Sequence, residues 1–154
     1  MNAKPRIIDY VLIALSALCF AAALILLVVN LPSLPDRIPT HYTGSGEIDG
    51  WGGKGSVALV PAISFVLLVT MTLLVFFPKL WNTMRGIPAQ RVPQAVRASR
   101  TMICAMSLEM QLFFAAALVH TVRCEPLPEA IGGGFVGLLA ATIVAGLVGV
   151  YRKK

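Results

Sequence analysis

Four long apolar runs constrain the fold of this 154-residue chain more than any other feature. A run of about 20 apolar residues is long enough for a helix to cross the hydrocarbon core of a bilayer. Because backbone groups in hydrocarbon must be paired within the segment, the runs predict helices rather than strands. We therefore expect an all-α integral membrane protein, a four-transmembrane-helix bundle with helices at about 8–31, 55–77, 101–122 and 130–151.

Composition agrees with a chain that lies mostly in lipid. Hydrophobic residues make up 57% of the sequence and charged residues 13%, with a mean hydropathy of +0.80. A soluble domain carries about 25% charged residues, so an ordinary water-exposed surface is excluded. The first apolar run continues to Val29, beyond the length of about 7–15 residues of a signal-peptide core, so we expect it to remain as a helix. Residues 1–154 then form one membrane domain.

The basic residues predict how the bundle is oriented. Ten of the 13 Lys and Arg residues lie in the N-terminus, in loop 78–100 and in the C-terminal tail, and three lie in the segments around 32–54 and 123–129. The positive-inside rule then places both termini in the cytoplasm and loop 32–54 outside. The basic groups flank helix ends, where they attract anionic lipid head groups, so the net charge of +6 does not indicate nucleic-acid binding. We expect the inner (cytoplasmic) membrane of a bacterium.

The segment between the second and third runs is expected to be a loop. It contains Pro78, Pro88 and Pro93, which predict that any helix in residues 78–100 is short and broken.

A repeat of small residues runs along the fourth span. Small side chains let another membrane helix approach closely. The pattern predicts either packing within the bundle or a homo-oligomer formed through this helix, by way of Gly133, Gly137, Ala141, Ala145 and Gly149.

The segment over residues 32–54 is rich in turn-forming residues, which indicates a structured loop. Prolines favour extended backbone, so residues 38–42 are expected to form a short strand. Gly44 and Gly46 predict a tight reversal, and Asp49-Gly50 predicts a second turn. Trp51 and Lys54 are typical of the lipid interface, where Lys54 is expected to reach head groups.

This loop resembles the signature of the family called domain of unknown function 1648, the N-terminal membrane domain of SdpI-like immunity proteins. The resemblance implies an immunity protein that recognises a toxic peptide. The order of four spans, with a polar third span and a Gly-rich fourth, is also similar to that of these proteins. The matching positions are Leu34, Pro35, Ile38, Pro39, His41, Tyr42, Gly46, Asp49, Gly50, Trp51, Gly52 and Lys54.

The acidic groups and aromatic rings of this loop favour recognition of a cationic, membrane-associated peptide or another envelope ligand. A loop that merely caps the bundle is the alternative. His41 lies near acidic residues, but no second His or Cys follows closely, so no metal site is expected. The candidate ligand-binding residues are Pro35, Ile38, Pro39, His41, Tyr42, Gly46, Asp49, Gly50, Trp51 and Lys54.

Two ionisable residues interrupt the third span. Glu109 and His120 are almost three helical turns apart and share a face, and a carboxylate in hydrocarbon should face protein or be protonated. Glu109 is either a hydrogen-bonding residue that orders the helices or part of a proton relay. Its expected partners are Ser16, Thr70, Thr72, Arg97 and Arg100.

Three functions remain open from the sequence. Besides peptide recognition, the chain is a candidate accessory subunit of a larger membrane complex and, with less support, a small transporter or membrane enzyme. No nucleophile–base pair or cofactor motif is present, so we expect neither an enzyme nor a bound cofactor. The cysteines, which lie in two spans and a loop, predict no disulfide framework.

Overall fold

The computed structural model describes residues 4–81 and 86–152 and contains four helices that are long and apolar enough to cross a membrane. This confirms a mostly helical chain with four candidate membrane spans, whereas the small two-stranded sheet between the first two helices departs from an all-α fold. Arg85, Lys153 and Lys154, which entered the charge count, lie outside the described residues. The helices are α1 (Ile7–Asn30), α2 (Leu59–Phe76), α3 (Val92–Arg123) and α4 (Glu129–Tyr151).

Helix α3 is the centre of the bundle, because α1, α2 and α4 each pack along it. It carries most of the buried polar side chains, including Ser107, Glu109 and Gln111, whereas the buried residue of α4 is Val150. The three outer helices are hydrophobic around most of their surface, as helices surrounded by lipid tails are.

Hydrogen bonds show which helix ends lie together. The Arg6 guanidinium donates to the Thr101 hydroxyl in the third turn of α3, and the Gln94 amide in its first turn donates to the Gly149 carbonyl at the end of α4, at 3.2 Å. The beginning of α1, the beginning of α3 and the end of α4 therefore share one end of the bundle, which we call the terminal end.

Helix α3 begins at Val92, which corrects the expected loop over residues 78–100. Pro93 lies in the first turn of the helix, where its missing N–H is not needed and its fixed φ suits the helix. The expectation of broken helices holds only for the shorter 3₁₀ turns at Pro78–Leu80 and Ala89–Arg91.

A two-stranded antiparallel hairpin connects α1 to α2 at the opposite end, which we call the hairpin end. Its strands are β1 (Arg37–Tyr42) and β2 (Ile48–Gly53), followed by a 3₁₀ turn over Lys54–Ala58. The expected strand over residues 38–42 is present. The expected turn at Asp49-Gly50 is absent, because both residues lie within β2.

Gly50 pairs with His41, and a Cβ at this glycine would lie 2.9 Å from the His41 Cβ. The glycine therefore permits a close strand approach rather than a turn.

The reversal of the hairpin occurs at Gly46, which has a φ of +85°. The Gly46 N–H donates to the Thr43 carbonyl, and the Gly46 carbonyl accepts a 2.8 Å hydrogen bond from the Leu127 N–H in the link between α3 and α4. At the base of the hairpin, Ile38 is fully buried in a cluster with Leu27 and Leu118. The hairpin is therefore fixed to three parts of the bundle.

The predicted small-residue stripe of α4 does not form a packing face within the chain. Gly133, Gly137, Ala141 and Ala145 are exposed, and among the glycines of the stripe it is Gly149 that lies close to α3, where an added Cβ would lie 3.1 Å from the Ala98 Cβ. A step of four residues turns about 40° beyond a full helical turn, so a stripe at this spacing winds around the helix. The close approach to α3 occurs instead at Gly146, beside Met102.

Candidate ligand-binding cleft

A cleft of about 510 Å³ lies at the hairpin end, over the outer part of α3 and between α2 and α4. The aromatic rings of Phe113 and Phe114 and the methyl group of Ala117 contribute from α3. Val57 and Val60 line the α2 side, while hairpin residues 39–44 line the hairpin side. The α4 side is formed by Gly132, Phe135 and Val136.

The cleft is open at its rim. Leu59 and Val136, which both line it, have 62% and 64% of their surface exposed. Both residues belong to helices that are long and apolar enough to cross a membrane, so the rim continues into the apolar outer surface of the bundle.

A small number of polar groups occur among the apolar lining. The Tyr42 hydroxyl lies 3.2 Å from the Thr121 hydroxyl, and the carboxylate of Glu129 lies at the exposed α4 edge. Burial raises the pKa of the Tyr42 phenol, and the Thr121 hydrogen bond only partly opposes this. The phenol is thus a neutral hydrogen-bonding group within the mostly apolar lining of the cleft.

Several residues of the loop signature have a structural role in the hairpin. Ile38 and Pro39 are buried, and a Cβ at Gly52 would lie 2.6 Å from the Thr40 Cγ2. The Lys54 ammonium donates to the carbonyls of Pro32 and Leu34, each at 3.2 Å. Two of the three N–H donors of the Lys54 ammonium therefore close the base of the hairpin, a role that the expected contact with lipid head groups did not include.

Other signature residues are exposed. The His41 Nδ1 lies 2.6 Å from the Asp49 Oδ1, with 71% and 45% of the two side chains exposed. Trp51 is 48% exposed, and Pro35 is exposed as well. This outer surface of the hairpin combines an ion-pairing group, an aromatic ring and an acid.

The structure brings together only part of the predicted ligand-binding set. Pro39, His41, Tyr42 and Gly46 line the cleft. The lining of the cleft does not include Pro35, Ile38, Asp49, Gly50, Trp51 or Lys54.

Sequence reasoning missed the aromatic residues that form the deep part of the cleft. Phe113 of α3 and Phe135 of α4 stack with centroids 4.5 Å apart and planes 20° apart. A Phe in an apolar span has no local signal that distinguishes a lining position from a lipid-facing one. The signal available was the position of Phe113 on the same face of α3 as Glu109.

Glu109 finds its partner on α4, which corrects the expected partners. The Thr142 hydroxyl donates to Glu109 Oε1 at 2.5 Å, whereas none of the residues that the structure describes pairs with Glu109 Oε2. Ser16 instead bonds the backbone of its own helix, and Arg100 donates to the Val75 carbonyl at 2.9 Å. The expectation had placed the polar partners on α1, on α2 and at the inner end of α3.

His120 lies nearer the hairpin end of α3, and its Nδ1 is 3.9 Å from Glu125 Oε2. Gln111 points away from Glu109, as the helical spacing predicts, and pairs with Ser64 of α2. The Ser64 hydroxyl donates to Gln111 Oε1 at 2.6 Å, and Gln111 Nε2 donates to the Ser64 carbonyl at 3.1 Å. The polar residues of α3 therefore form hydrogen bonds with different neighbouring helices.

A family model described as Domain of unknown function (DUF1648) matches residues 17–65. The matched segment comprises most of α1, the hairpin and the beginning of α2. This confirms the resemblance noted from the loop signature over that part of the chain. No curated protein and no solved structure matches the chain.

Proposed function

We propose that this protein is a binding protein of the bacterial cytoplasmic membrane, without enzymatic activity, that recognises a cationic amphipathic peptide from the extracytoplasmic side. The observation that carries the proposal is the 510 Å³ apolar cleft at the hairpin end. The peptide lies with its apolar side chains in the cleft and its basic groups at the hairpin surface.

The dimensions and lining of the cleft favour an apolar or amphipathic ligand. Ligand pockets have volumes of roughly 300–1,000 Å³ and combine apolar walls with a few placed polar groups. Here the walls are aromatic and aliphatic, and Tyr42, Thr121 and Glu129 supply the polar groups. A helix in this position buries one apolar side, as amphipathic helices do in grooves.

The charges of the hairpin end favour a cationic ligand. Five acidic residues belong to this end, against three basic ones, and the Lys54 ammonium is hydrogen-bonded to backbone carbonyls. Complementary charge speeds encounter and suppresses binding of anionic competitors. The acidic residues are Asp36, Glu47, Asp49, Glu125 and Glu129.

The orientation of the cleft rests on the positive-inside rule. The N-terminus, the segment before α3 and the end of α4 share the terminal end, and these segments carry the excess of Lys and Arg. The rule then assigns the terminal end to the cytoplasm and the hairpin end to the exterior. A peptide arriving from outside therefore meets the cleft first.

The resemblance to SdpI-like proteins supports protection against such a peptide as the cellular role. Capture in the cleft keeps the peptide at a protein surface rather than free in the bilayer. Immunity is accordingly the role that we propose for the cell that expresses this chain.

Binding is tested by narrowing the cleft with Gly132→Leu. Gly132 lines the cleft and has open space where a side chain would project. The probe is a fluorescent helical peptide of Lys and Leu, about 18 residues long and basic on one side. The protein is held in nanodiscs of zwitterionic lipid, and anisotropy is measured. We expect the affinity to fall by at least about tenfold, which corresponds to about 1.4 kcal/mol.

Gly133→Leu is the matched control. A Cβ at Gly133 would meet nothing within 4 Å, and Gly133 is not among the residues that line the cleft. We therefore expect Gly133→Leu to bind the peptide with wild-type affinity. A second control replaces the Lys residues of the probe by Glu, and this peptide should bind weakly. Equal affinities for wild type and Gly132→Leu would contradict binding in the cleft.

The accessory-subunit alternative is favoured by the exposed small residues of α4 and gives the opposite result. In that case Gly133→Leu would release a copurifying membrane subunit in mild detergent, while Gly132→Leu would not.

A further inference from the structure

Two further cavities border the seam between α3 and α4, and neither contributes to the proposed peptide site. One, of about 180 Å³, lies beside Glu109 and is lined by Leu112, Leu138 and the ring pair Phe113 and Phe135. The other, of about 350 Å³, lies nearer the terminal end and includes Arg6, Thr101 and Thr142 in its lining. Both are separate from the peptide cleft.

Glu109 is buried, with 9% of its surface exposed, yet only one of its carboxyl oxygens has a partner in the described chain. An ionised carboxylate in the membrane interior is costly unless it is paired or hydrated. The Thr142 hydroxyl suits both states of the carboxyl, because it donates to the carboxylate and accepts from the carboxylic acid. This arrangement tolerates the gain and loss of a proton.

The 350 Å³ cavity offers a route for water from the terminal end. Exposed Arg6, just before the first helix, marks its outer side, and Thr142 marks its inner side next to Glu109. A water molecule occupies about 30 Å³ in the liquid, so several fit. Thr101 and Thr142 supply hydroxyl groups along the way.

The paths from Glu109 toward the lipid and toward the peptide cleft are lined by apolar side chains. Leu112 and Leu138, each 53% exposed, form the lipid side of the 180 Å³ cavity. The stacked rings of Phe113 and Phe135 border both this cavity and the peptide cleft, and so stand between them. Water that reaches Glu109 therefore comes from the terminal end.

We propose that Glu109 is an intramembrane proton-binding site that exchanges protons with water at the terminal end through the 350 Å³ cavity and Thr142. Thr142 passes its hydroxyl proton to Glu109 Oε1 and takes one from a hydronium ion that has reached the cavity from the terminal end, which is left as a water molecule. The hydroxyl is thus restored and the carboxylate becomes a carboxylic acid. Release follows the same steps in reverse.

The charged surroundings of this site are simple. Among the residues that line the two cavities, Arg6 comes from the segment just before α1, Glu109 from α3 and the uncharged Thr142 from α4. Asp9 lies at the terminal end of α1, with its oxygens hydrogen-bonded to the Arg6 N–H and to the Thr101 hydroxyl. Arg6 and Asp9 are therefore the ionisable groups beside the outer part of the proton route.

Infrared spectroscopy of the full chain in lipid bilayers tests the proposal. We expect a carbonyl band of a protonated carboxyl that grows as the pH is lowered and disappears in Glu109→Gln. On transfer to heavy water this band should shift quickly. Ala105→Leu, which narrows the 350 Å³ cavity, should slow the shift by about tenfold or more, because less of the cavity can then hold water.

Ala117→Leu is the matched control, since Ala117 is also half-buried on α3 but lines the peptide cleft, and it should leave the rate unchanged. Thr142→Val, which removes the relay hydroxyl, should slow the shift without filling the cavity. A Glu109 band that is absent, or that does not change with pH, would overturn proton binding. The proposed route would be overturned if neither Ala105→Leu nor Thr142→Val slowed the band shift in heavy water. It would also be overturned if Ala117→Leu slowed that shift. None of these outcomes bears on peptide binding.

Discussion

Replacing Gly46 by alanine is expected to lower the free energy of unfolding by about 2–4 kcal/mol, since the change combines left-handed strain with overpacking. Gly46 has a φ of +85°, and its added Cβ would lie 1.7 Å from the Leu127 carbonyl oxygen. Backbone atoms cannot move aside as a flexible side chain can. The link between α3 and α4 would therefore separate from the hairpin turn and lose the hydrogen bond from Leu127 to Gly46.

The effect is measured by titration with dodecyl sulfate in mixed micelles, with the fluorescence of Trp51 in β2 as the reporter in a chain that also carries Trp81→Phe. Gly44→Ala is the matched control in the same turn, because a Cβ there meets nothing within 4 Å and the change should stay within about 0.5 kcal/mol. Equal stabilities of the two alanine variants would show that the hairpin is not docked on the α3–α4 link.

Replacing Gly146 by leucine is expected to separate α3 from α4 and to destabilise the bundle by about 1–3 kcal/mol through overpacking. A Cβ at Gly146 would lie 2.8 Å from the Met102 Cβ, and closer still to the outer atoms of that side chain. The Met102 Cβ is fixed to the α3 backbone, so rotation of the methionine cannot relieve the overlap. The Thr142–Glu109 hydrogen bond, one helical turn away, should weaken as well.

Gly137→Leu on the same helix serves as the comparison, since its Cβ meets nothing within 4 Å. Circular dichroism during unfolding in dodecyl sulfate should show a lower midpoint for Gly146→Leu and a midpoint near wild type for Gly137→Leu. A larger fall in the unfolding midpoint for Gly137→Leu than for Gly146→Leu would contradict this account. It would mean that α4 packs against α3 through the predicted stripe rather than through Gly146.

The four spans could be predicted from sequence because crossing a bilayer imposes a length and a composition that few other structures share. The residue at which α3 begins could not be predicted in this way. Prolines before residue 94 suggested a loop, but Pro93 occupies the first turn of the helix, where proline is favoured. A proline signals a boundary, and only its position relative to that boundary decides whether the helix lies before or after it.

Helix packing was less predictable than helix existence. The four-residue spacing of small residues in α4 predicts a packing stripe, although such a row winds around a helix by about 40° per step. The contact at Gly146 depends on Met102 of another helix, which no local pattern in α4 reveals.

In the candidate site, features that depend on local sequence could be predicted, and features that depend on contacts between distant segments could not. The signature of the loop predicted a strand and a reversal, and both are present, because proline and glycine act locally on the backbone. The roles of Lys54 and Gly50 required knowledge of which backbone atoms lie opposite them. The cleft itself arises from the spacing of α2, α3 and α4, so Phe113 and Phe135 could not be identified in advance.

The central claim is that the cleft and the hairpin face the exterior of the cell. Ser45, at the tip of the hairpin, and Ala89, before α3, are both exposed and lie in the segments assigned to opposite sides. Each is replaced by cysteine in a chain whose Cys19, Cys104 and Cys124 are changed to serine, and intact cells are treated with a thiol reagent that cannot cross membranes. The account predicts labelling of Ser45→Cys in intact cells and of Ala89→Cys only after permeabilisation. Labelling of Ala89→Cys with protection of Ser45→Cys would contradict it and would place the cleft on the cytoplasmic side.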